Sequence, residues 1–414
     1  MKSDHDYMRL ALRFARRGIG LTSPNPMVGA VLVKGGKVIG RGWHRRVGLP
    51  HAEIEAIHDA QKRGHNPKGA TLYVTLEPCS THGRTPPCTD SIILAGVKRV
   101  VVGAVDPNPK HSGRAFKTLQ RAGITVDGWS ERPREPENKS KQGSSAASPQ
   151  RTIGVECAQL NEAFNHWIVH RTPLVTVKAA MTLDGKIATA AGESKWITGE
   201  KARVYAMQLR RETDAVLVGI NTVLADDPSL TARDSANIRH STFSAEQPGP
   251  RRIVLDSLAR TPLKAKIVSD KFADRTTVVV SKHAPRNRVA ALAKWANVII
   301  APTAKVGRMY SRAGSSAGLR RQQIDLRWLL KQLGSANVTS LLVEGGGEVN
   351  ASFLLGGFAH RVAFFYAPKI LGGRDSLKAV AGEGARNLTK ALQLREVEWK
   401  RLGPDLLLTA RIAG

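Results

Sequence analysis

The chain has 414 residues, too many for one ordinary core at about 100–200 residues per domain, so two or three domains are expected. Its 42% hydrophobic and 23% charged residues are those of a soluble globular protein, and no run of about 18 apolar residues offers a membrane span. Three widely separated cysteines exclude a disulfide framework, and a formal charge of +29 favours anionic partners: nucleic acid, a membrane surface or a phosphorylated small molecule. The basic residues are scattered along the whole length and aromatics are only 5%, so a solvated basic surface is the plainer reading of that charge. The first residues are charged every few positions and lack the apolar stretch of a signal peptide, so the expected setting is cytoplasmic and reducing, with cysteines available as thiolate ligands.

Tyr7, Leu10, Ala11 and Phe14 recur at helical spacing and predict an opening amphipathic helix. VGAVLV and KVIGRGW flank KGG and predict two strands joined by a glycine turn. A helix starting at His51 follows, then the strand ATLYVTL, the helix TDSIILAG, the strand VKRVVVGAV, the helix GRAFKTLQRAG and the strand ITV. Strands alternating with helices predict a layered α/β domain. Residues 130–151, rich in Ser, Pro and charge, are expected to be a flexible insert. GVECAQLNEAFNHWI is predicted to be helical, with Val155, Leu160, Phe164 and Ile168 partly periodic. A second α/β series begins at PLVTVKAAMTLDG. It continues through the helix KARVYAMQLRRE, the strands AVLVGI, RRIVLDS and TTVVVS, the helix DLRWLLKQLG, the strand SLLVEGGG and the helix VNASFLLGG. The expected domains are therefore 1–170 and 171–414, without internal repeats.

PHAEIEAI, Pro50 to Ile57, sets a histidine and a glutamate two residues apart at a helix start. Residues two apart in a regular helix do not face each other, so an ordinary ion pair is a poor explanation; a first turn is looser, and Pro50 suits one. In LEPCSTHGRTPPCTD, Cys79 is expected at the end of a strand and Cys88 at the opening of a helix. His51, Cys79 and Cys88 would then give one zinc ion an imidazole and two thiolates, with a fourth position open for water. Two thiolates already neutralise the ion, so it acidifies water less than an all-histidine site does, and Glu53 is placed to carry the protons. This is the H-x-E, P-C and second Cys arrangement of zinc nucleobase deaminases. Taken singly, His51 is more readily a capped or satisfied surface histidine, and each cysteine an inert core thiol. Cys157 belongs to neither motif and is expected to be buried.

Eight residues, STHGRTPP, separate Cys79 from Cys88, where two are usual in deaminases. That spacing, with NPMVGAVLV upstream and GWHRRVGLPHAE before the first ligand, resembles the bifunctional riboflavin-biosynthesis deaminase-reductases, over nearly the whole chain. The resemblance implies a cytidine-deaminase-like three-layer domain followed by a dihydrofolate-reductase-like α/β domain. The first would deaminate a phosphoribosylated diaminopyrimidinone to the aminouracil with one zinc ion; the second would reduce its ribosyl to ribityl with NADPH. Asn25, His44, His82 and Arg84 fall at deaminase substrate positions, where an amide can read a pyrimidine edge and a guanidinium can hold a phosphate. Thr81 stands where the family carries histidine. Threonine can donate a hydrogen bond but cannot take up a proton or bear a positive charge, so deamination is expected to persist with one substrate contact weakened or taken over by His82.

LVEGGGEVNASF places three glycines between a strand and a helix, which permits close backbone approach and offers helix N–H groups to a phosphate, although alone it reads as a tight connection. VKAAMTLDGKIA, GESKWITG, GINTVLADDPSLTAR and IVLDS occur in the order of the family's reductase half. By that resemblance Ala180, Trp196, Thr222, Asp226, Ser257, Gly346, Gly347, Glu348, Val349 and Asn350 lie at cofactor positions, and Ser194, Arg210, Leu230, Arg233 and Glu344 at substrate positions. Lys178 and Asp184 are candidate proton donors by proximity in sequence. The expected partners are the phosphorylated pyrimidine and further copies of this chain, with no membrane and no nucleic acid. The rival reading is an RNA-acting zinc deaminase with an RNA-binding second domain; the charge favours it, and the cysteine spacing and reductase-like half oppose it.

Overall fold

The computed structural model describes residues 2–82, 86–129, 149–232, 249–304 and 323–413. The chain divides into two compact units, Met1–Arg171 and Thr172–Gly414. The first contains α1 (Asp4–Ala15), β1 (Gly29–Lys34), β2 (Lys37–Trp43), α2 (Ala52–Lys62), β3 (Thr71–Val74), α3 (Cys88–Leu94), β4 (Arg99–Val102), α4 (Arg114–Arg121), β5 (Thr125–Gly128), α5 (Pro149–Leu160) and α6 (Glu162–His170). Its sheet runs β2-β1-β3-β4-β5, antiparallel across β2, β1 and β3 and parallel from β3 to β5. The alternation of side chains along β1 builds three layers. Ala30 and Leu32 join a core with Ala56, Ile57, Ile92, Phe116 and Leu119, while Val31 and Val33 join a second core with Met8, Leu12, Ile153 and Cys157. A side chain at Gly40 or Gly42 of β2 would strike the carbonyls of Ala56 and Ala52. Their lack of one lets α2 lie directly on the strand, and this sets the height of its first turn.

Three expectations for this unit need correcting. β3 ends at Val74, so Cys79 sits in the loop beyond it and not at the strand's end. The helix expected across 154–168 breaks at Asn161, whose Oδ1 accepts the Met27 N–H (2.7 Å) and whose Nδ2 donates to the Met27 carbonyl (2.9 Å). Val155 is 48% exposed, and Ile153 and Cys157 fill the core instead. Most of the expected insert lies outside the described residues; its last part, from Pro149, already belongs to α5.

The second unit contains β6 (Leu174–Thr182), β7 (Lys186–Ala188), α7 (Glu200–Arg211), β8 (Ala215–Gly219), α8 (Ile220–Asp226), β9 (Arg251–Leu255), α9 (Lys266–Ser269), β10 (Thr276–Ser281), α10 (Arg286–Leu292), β11 (Asn297–Ala301), α11 (Leu326–Ser335), β12 (Ser340–Val343), α12 (Gly347–Leu355), β13 (Arg361–Ala367), β14 (Leu377–Lys378), β15 (Leu394–Leu402) and β16 (Asp405–Ile412). Nine strands form a sheet in the order β11-β10-β9-β8-β12-β6-β13-β16-β15. The first seven are parallel, and the β15–β16 hairpin closes one edge antiparallel. Strands covered on both faces read as unbroken apolar runs. Thus Leu217, Val343 and Val177 pack with Leu329 and Phe353, while Val216, Val254 and Val278 pack with Ile267 and Leu292.

Candidate functional site

His51 is the residue that caps α2, with extended backbone angles (φ −72°, ψ 165°), so its ring hangs from the helix end instead of lying along its side. Glu53 follows in the first turn, 3% exposed. Cys88 is the first residue of α3, and the loop after β3 brings Cys79 to it: the Thr89 N–H donates to the Cys79 carbonyl (3.3 Å) and the Cys88 N–H to the Cys79 Sγ (3.2 Å). The His51 Nδ1 stands 3.2 Å from the Cys88 Sγ and 3.6 Å from the Cys79 Sγ. All three ligand atoms lie within 4.8 Å of one another, and among the described residues no other group of three or more metal-binding side chains converges so. A tetrahedral zinc with ordinary Zn–S and Zn–N bonds spaces its ligands about 3.5–3.8 Å apart, so these donors fit that ion.

The electrostatics point the same way. The hydrogen bond from Cys88, the neighbouring His51 ring and the Cys88 N–H together pull the Cys79 thiol down toward thiolate. The same bond and burial hold the Cys88 thiol up, and the bond to Cys79 raises His51. A cluster that retains protons between two sulfurs and an imidazole is one that a cation can take over. Burial pushes the Glu53 carboxyl up.

Asn25, His44, His51, Glu53 and Cys79 line one cavity of about 300 Å³, together with Glu77, Asp106, Asn108, His111 and the apolar side chains of Phe164, Trp167 and Ile168. His44 is buried, which lowers its pKa, and its two nitrogens have complementary partners: Nδ1 faces the Pro50 carbonyl and Nε2 the Asn25 Nδ2, each at 3.2 Å. The consistent assignment has Nδ1–H donating to Pro50 and Nε2 accepting from Asn25, which leaves the Asn25 carbonyl for a ligand. His82 is exposed and does not line the cavity; Arg84 lies outside the described residues. The imidazole beside Thr81 is that of His111, at 3.3 Å. Glu77, Asp106, Asn108 and His111 were not anticipated. Their signal was position: they follow the carboxyl ends of the parallel strands β3 and β4, where open α/β sheets hold ligands.

In the second unit, Gly346 precedes α12 at the carboxyl end of β12. A side chain at Gly347 would collide with the Lys378 carbonyl, and one at Gly345 with Val349, so those two glycines serve close packing. A Cβ at Gly346 would meet only the Thr222 Oγ1, at 4.0 Å. The open backbone there, followed by the unpaired N–H groups of the first helical turn, suits a phosphate-bearing dinucleotide. Glu348 is exposed, whereas Val349 packs inward and the buried Asn350 donates to the Ala379 carbonyl (2.8 Å). Ser194 donates to Asp226 (3.0 Å), and Trp196 is 66% exposed with the Arg203 guanidinium 4.7 Å from its ring. Ala180 lies on β6, and Ser257 follows β9 with its carbonyl accepting from Ser281.

Arg210 is spent on Glu344, with Nε to Oε1 at 2.7 Å and Nη2 to Oε2 at 2.9 Å, and Lys178 reaches the same carboxylate at 3.6 Å. Burial acts to raise the pKa of Glu344, but these two cations outweigh it and hold it at about 2. The Leu230 side chain is 2% exposed in the core, so only its backbone, at φ +49°, is left to face a ligand. Arg233 lies outside the described residues. Asp184 accepts from the Thr182 hydroxyl and from the N–H groups of Leu371 and Gly372, which commits it to holding a loop.

Residues 1–104 match the family model described as the cytidine and deoxycytidylate deaminase zinc-binding region, and residues 173–408 match the RibD C-terminal domain. The riboflavin biosynthesis protein RibD of Aquifex aeolicus is 40% identical over 98% of this chain and 97% of its own. That of Escherichia coli is 36% identical over 98% of each. The structure of Acinetobacter baumannii RibD superposes with a TM-score of 0.78 at 31% identity, covering 99% of both chains. The Thermotoga maritima diaminohydroxyphosphoribosylaminopyrimidine deaminase/5-amino-6-(5-phosphoribosylamino)uracil reductase gives 0.75 at 31% identity, with the same coverage. No helix among the described residues is long and apolar enough to cross a membrane.

Proposed function

The chain belongs to the family of bifunctional riboflavin-biosynthesis deaminase-reductases, and on that premise we propose that it first removes an amine from a phosphoribosylated diaminopyrimidinone and then reduces the ribosyl group of the product. The observation that carries this reading is the convergence of His51, Cys79 and Cys88, with His51, Cys79 and the buried Glu53 lining one cavity. When bound by those three residues, zinc supplies the Lewis acidity that makes water nucleophilic at neutral pH. Glu53 takes the proton from the attacking water and passes it to the ring nitrogen. It then takes the second proton from the added hydroxyl and gives it to the amine as the C–N bond breaks; ammonia leaves, and the water's oxygen becomes the uracil carbonyl. The Asn25 carbonyl accepts a pyrimidine N–H, and His44 keeps that amide turned the right way. Arg84 takes the phosphate.

In the second unit NADPH, when bound, supplies the hydride. Gly346 and the start of α12 hold its phosphates, with Thr222 beside them. Asp184 is committed to its loop, so Lys178, oriented by Glu344, gives a proton to the ribosyl oxygen as that ring opens. Arg210 fixes Glu344 and acts on the substrate through it. The rest of the task is positioning.

The test is metal analysis and turnover on full-length protein purified without added zinc. About one zinc per chain is expected, with ammonia released from the diaminopyrimidinone and NADPH oxidised only by the deaminated product. Turnover in protein free of zinc would refute the metal centre. Steep, salt-dependent retention of RNA without turnover of either compound would put the RNA reading in its place.

A further inference from the structure

The loop that leaves β4 enters the first cavity and is clamped there. The Glu77 carboxylate, in the loop after β3, accepts from the backbone N–H groups of Asp106 (3.2 Å), Gly113 (3.0 Å) and Ala115 (3.1 Å). Within that clamp Asn108 accepts the N–H groups of His111 (2.8 Å) and Ser112 (2.9 Å) through its carbonyl. Five backbone hydrogen bonds thus hold a short irregular segment in place, and His111 is its half-buried side chain on the cavity wall.

The ring is oriented as well as placed. Its Nδ1 lies 3.3 Å from the Thr81 hydroxyl, two residues beyond Cys79. Threonine can donate to that nitrogen, and the neutral ring then carries its hydrogen on Nε2. Nε2 has no hydrogen-bond partner among the described residues. A rigidly mounted imidazole on a cavity wall, with one nitrogen tied and the other unused, is arranged to contact whatever fills the cavity.

We propose that His111 is a substrate-contacting residue of the deaminase pocket, donating its Nε2–H to an acceptor oxygen of the bound phosphoribosylated pyrimidine, and that Thr81 is the positioning residue that aims it. The inference deepens the reading of the first site and rests on it. Thr81 itself carries neither charge nor transferable proton, so its contribution passes through the ring it holds. His82, next along the chain, is exposed and away from the cavity.

The experiment measures ammonia release by the full-length zinc-loaded chain, with zinc content and NADPH oxidation by the aminouracil as controls for folding. His111→Ala should raise KM for the diaminopyrimidinone by roughly tenfold or more, the loss expected for a hydrogen bond to a charged or strongly polar oxygen, with kcat within about twofold. Thr81→Val should move KM in the same direction, and Thr81→Ser should restore it. The substrate lacking its phosphate separates the two kinds of oxygen. If His111→Ala no longer matters for it, the partner is the phosphate; if the effect persists, the partner is a ribosyl or pyrimidine oxygen. A titration of the diaminopyrimidinone into Glu53→Gln protein, with and without His111→Ala, reads the same contact as a Kd without turnover. Unchanged KM and unchanged Kd in the His111→Ala chain would overturn the inference while leaving the deaminase reading intact. A wild-type chain that releases no ammonia would instead remove the deaminase reading, and this inference with it. Should His111→Ala lose zinc or NADPH oxidation through misfolding, the Thr81→Val and Thr81→Ser pair decides.

Discussion

Replacing Glu53 by glutamine separates proton transfer from everything else the first unit does. The side chain is 3% exposed in the first turn of α2, and an amide fills the same volume. Burial already disfavours the ionised carboxylate, so a neutral group removes a desolvation cost and the unit should melt no lower than wild type. His51, Cys79 and Cys88 are untouched, so zinc content should be unchanged; Cys88→Ser, which removes a ligand, should lose the metal. General acid–base catalysis by one positioned group is worth ~10²–10⁴-fold. Glu53 moves protons both to the ring and to the leaving amine, so the upper part of that range applies, about 4–5 kcal/mol on the barrier. Ammonia release is measured on the diaminopyrimidinone and NADPH oxidation on the aminouracil, with one preparation serving both assays. The first should fall by at least about a thousandfold and the second should keep its wild-type rate. A folded, zinc-replete Glu53→Gln chain releasing ammonia within about tenfold of wild type would refute the proton-carrier role. Loss of both activities together would refute the two-site division.

Arg210→Met strips Glu344 of its bidentate partner and leaves Lys178 alone at 3.6 Å; breaking a buried pair costs ~3–5 kcal/mol, which lowers the melting temperature of a unit this size by roughly 6–20 °C, so a calorimetric shift near zero would contradict the pairing. Glu344 also sets a pH dependence. Its folded pKa of about 2 lies below the ordinary 4.5, so its stabilising contribution is fully present above about pH 4.5 and is lost as pH falls toward 2. The stability difference between wild type and Glu344→Gln should accordingly narrow over that interval, and parallel melting curves at pH 5 and pH 2.5 would count against it. Gly346→Val has room for its side chain at an ordinary φ of −69°, so it should fold and raise KM for NADPH while sparing ammonia release. Gly347→Ala meets the Lys378 carbonyl and should lose about 1–3 kcal/mol of stability; equal melting temperatures for the two variants would show that the glycines are interchangeable.

Much of the first site was legible in the sequence because metal chemistry restricts residue type and spacing together. His51 and Glu53 declare themselves two residues apart at a helix start, and Cys79 and Cys88 follow in a loop and at the next helix. The second site was legible only through its likeness to a family, since a strand, three glycines and a helix have too many ordinary uses. In the nine-stranded sheet, β11, β13, β15 and β16 went unpredicted, and so did the short pair β7 and β14. β11 and β13 are short apolar runs that periodicity cannot tell from buried helix, and the eight exposed residues along β15 lack the one-sided apolar pattern by which a half-buried strand is recognised.

What the amino-acid order determined by itself was local: which segments wind into helices, which extend, where glycine admits a close approach, and which side chains have the chemistry to hold a zinc ion. Those properties depend on neighbours within about four positions, and such neighbours are written in the sequence. Only the folded chain decided that Asn161 binds Met27 and so ends a helix, that Arg210 meets Glu344 across 134 positions, that Val349 and Asn350 turn inward, and that His111 lies against Thr81. Each of these is a contact between distant parts of the chain. It is selected by packing and by the need to pair buried polar groups, and that selection exists only once the sheet and its layers are assembled.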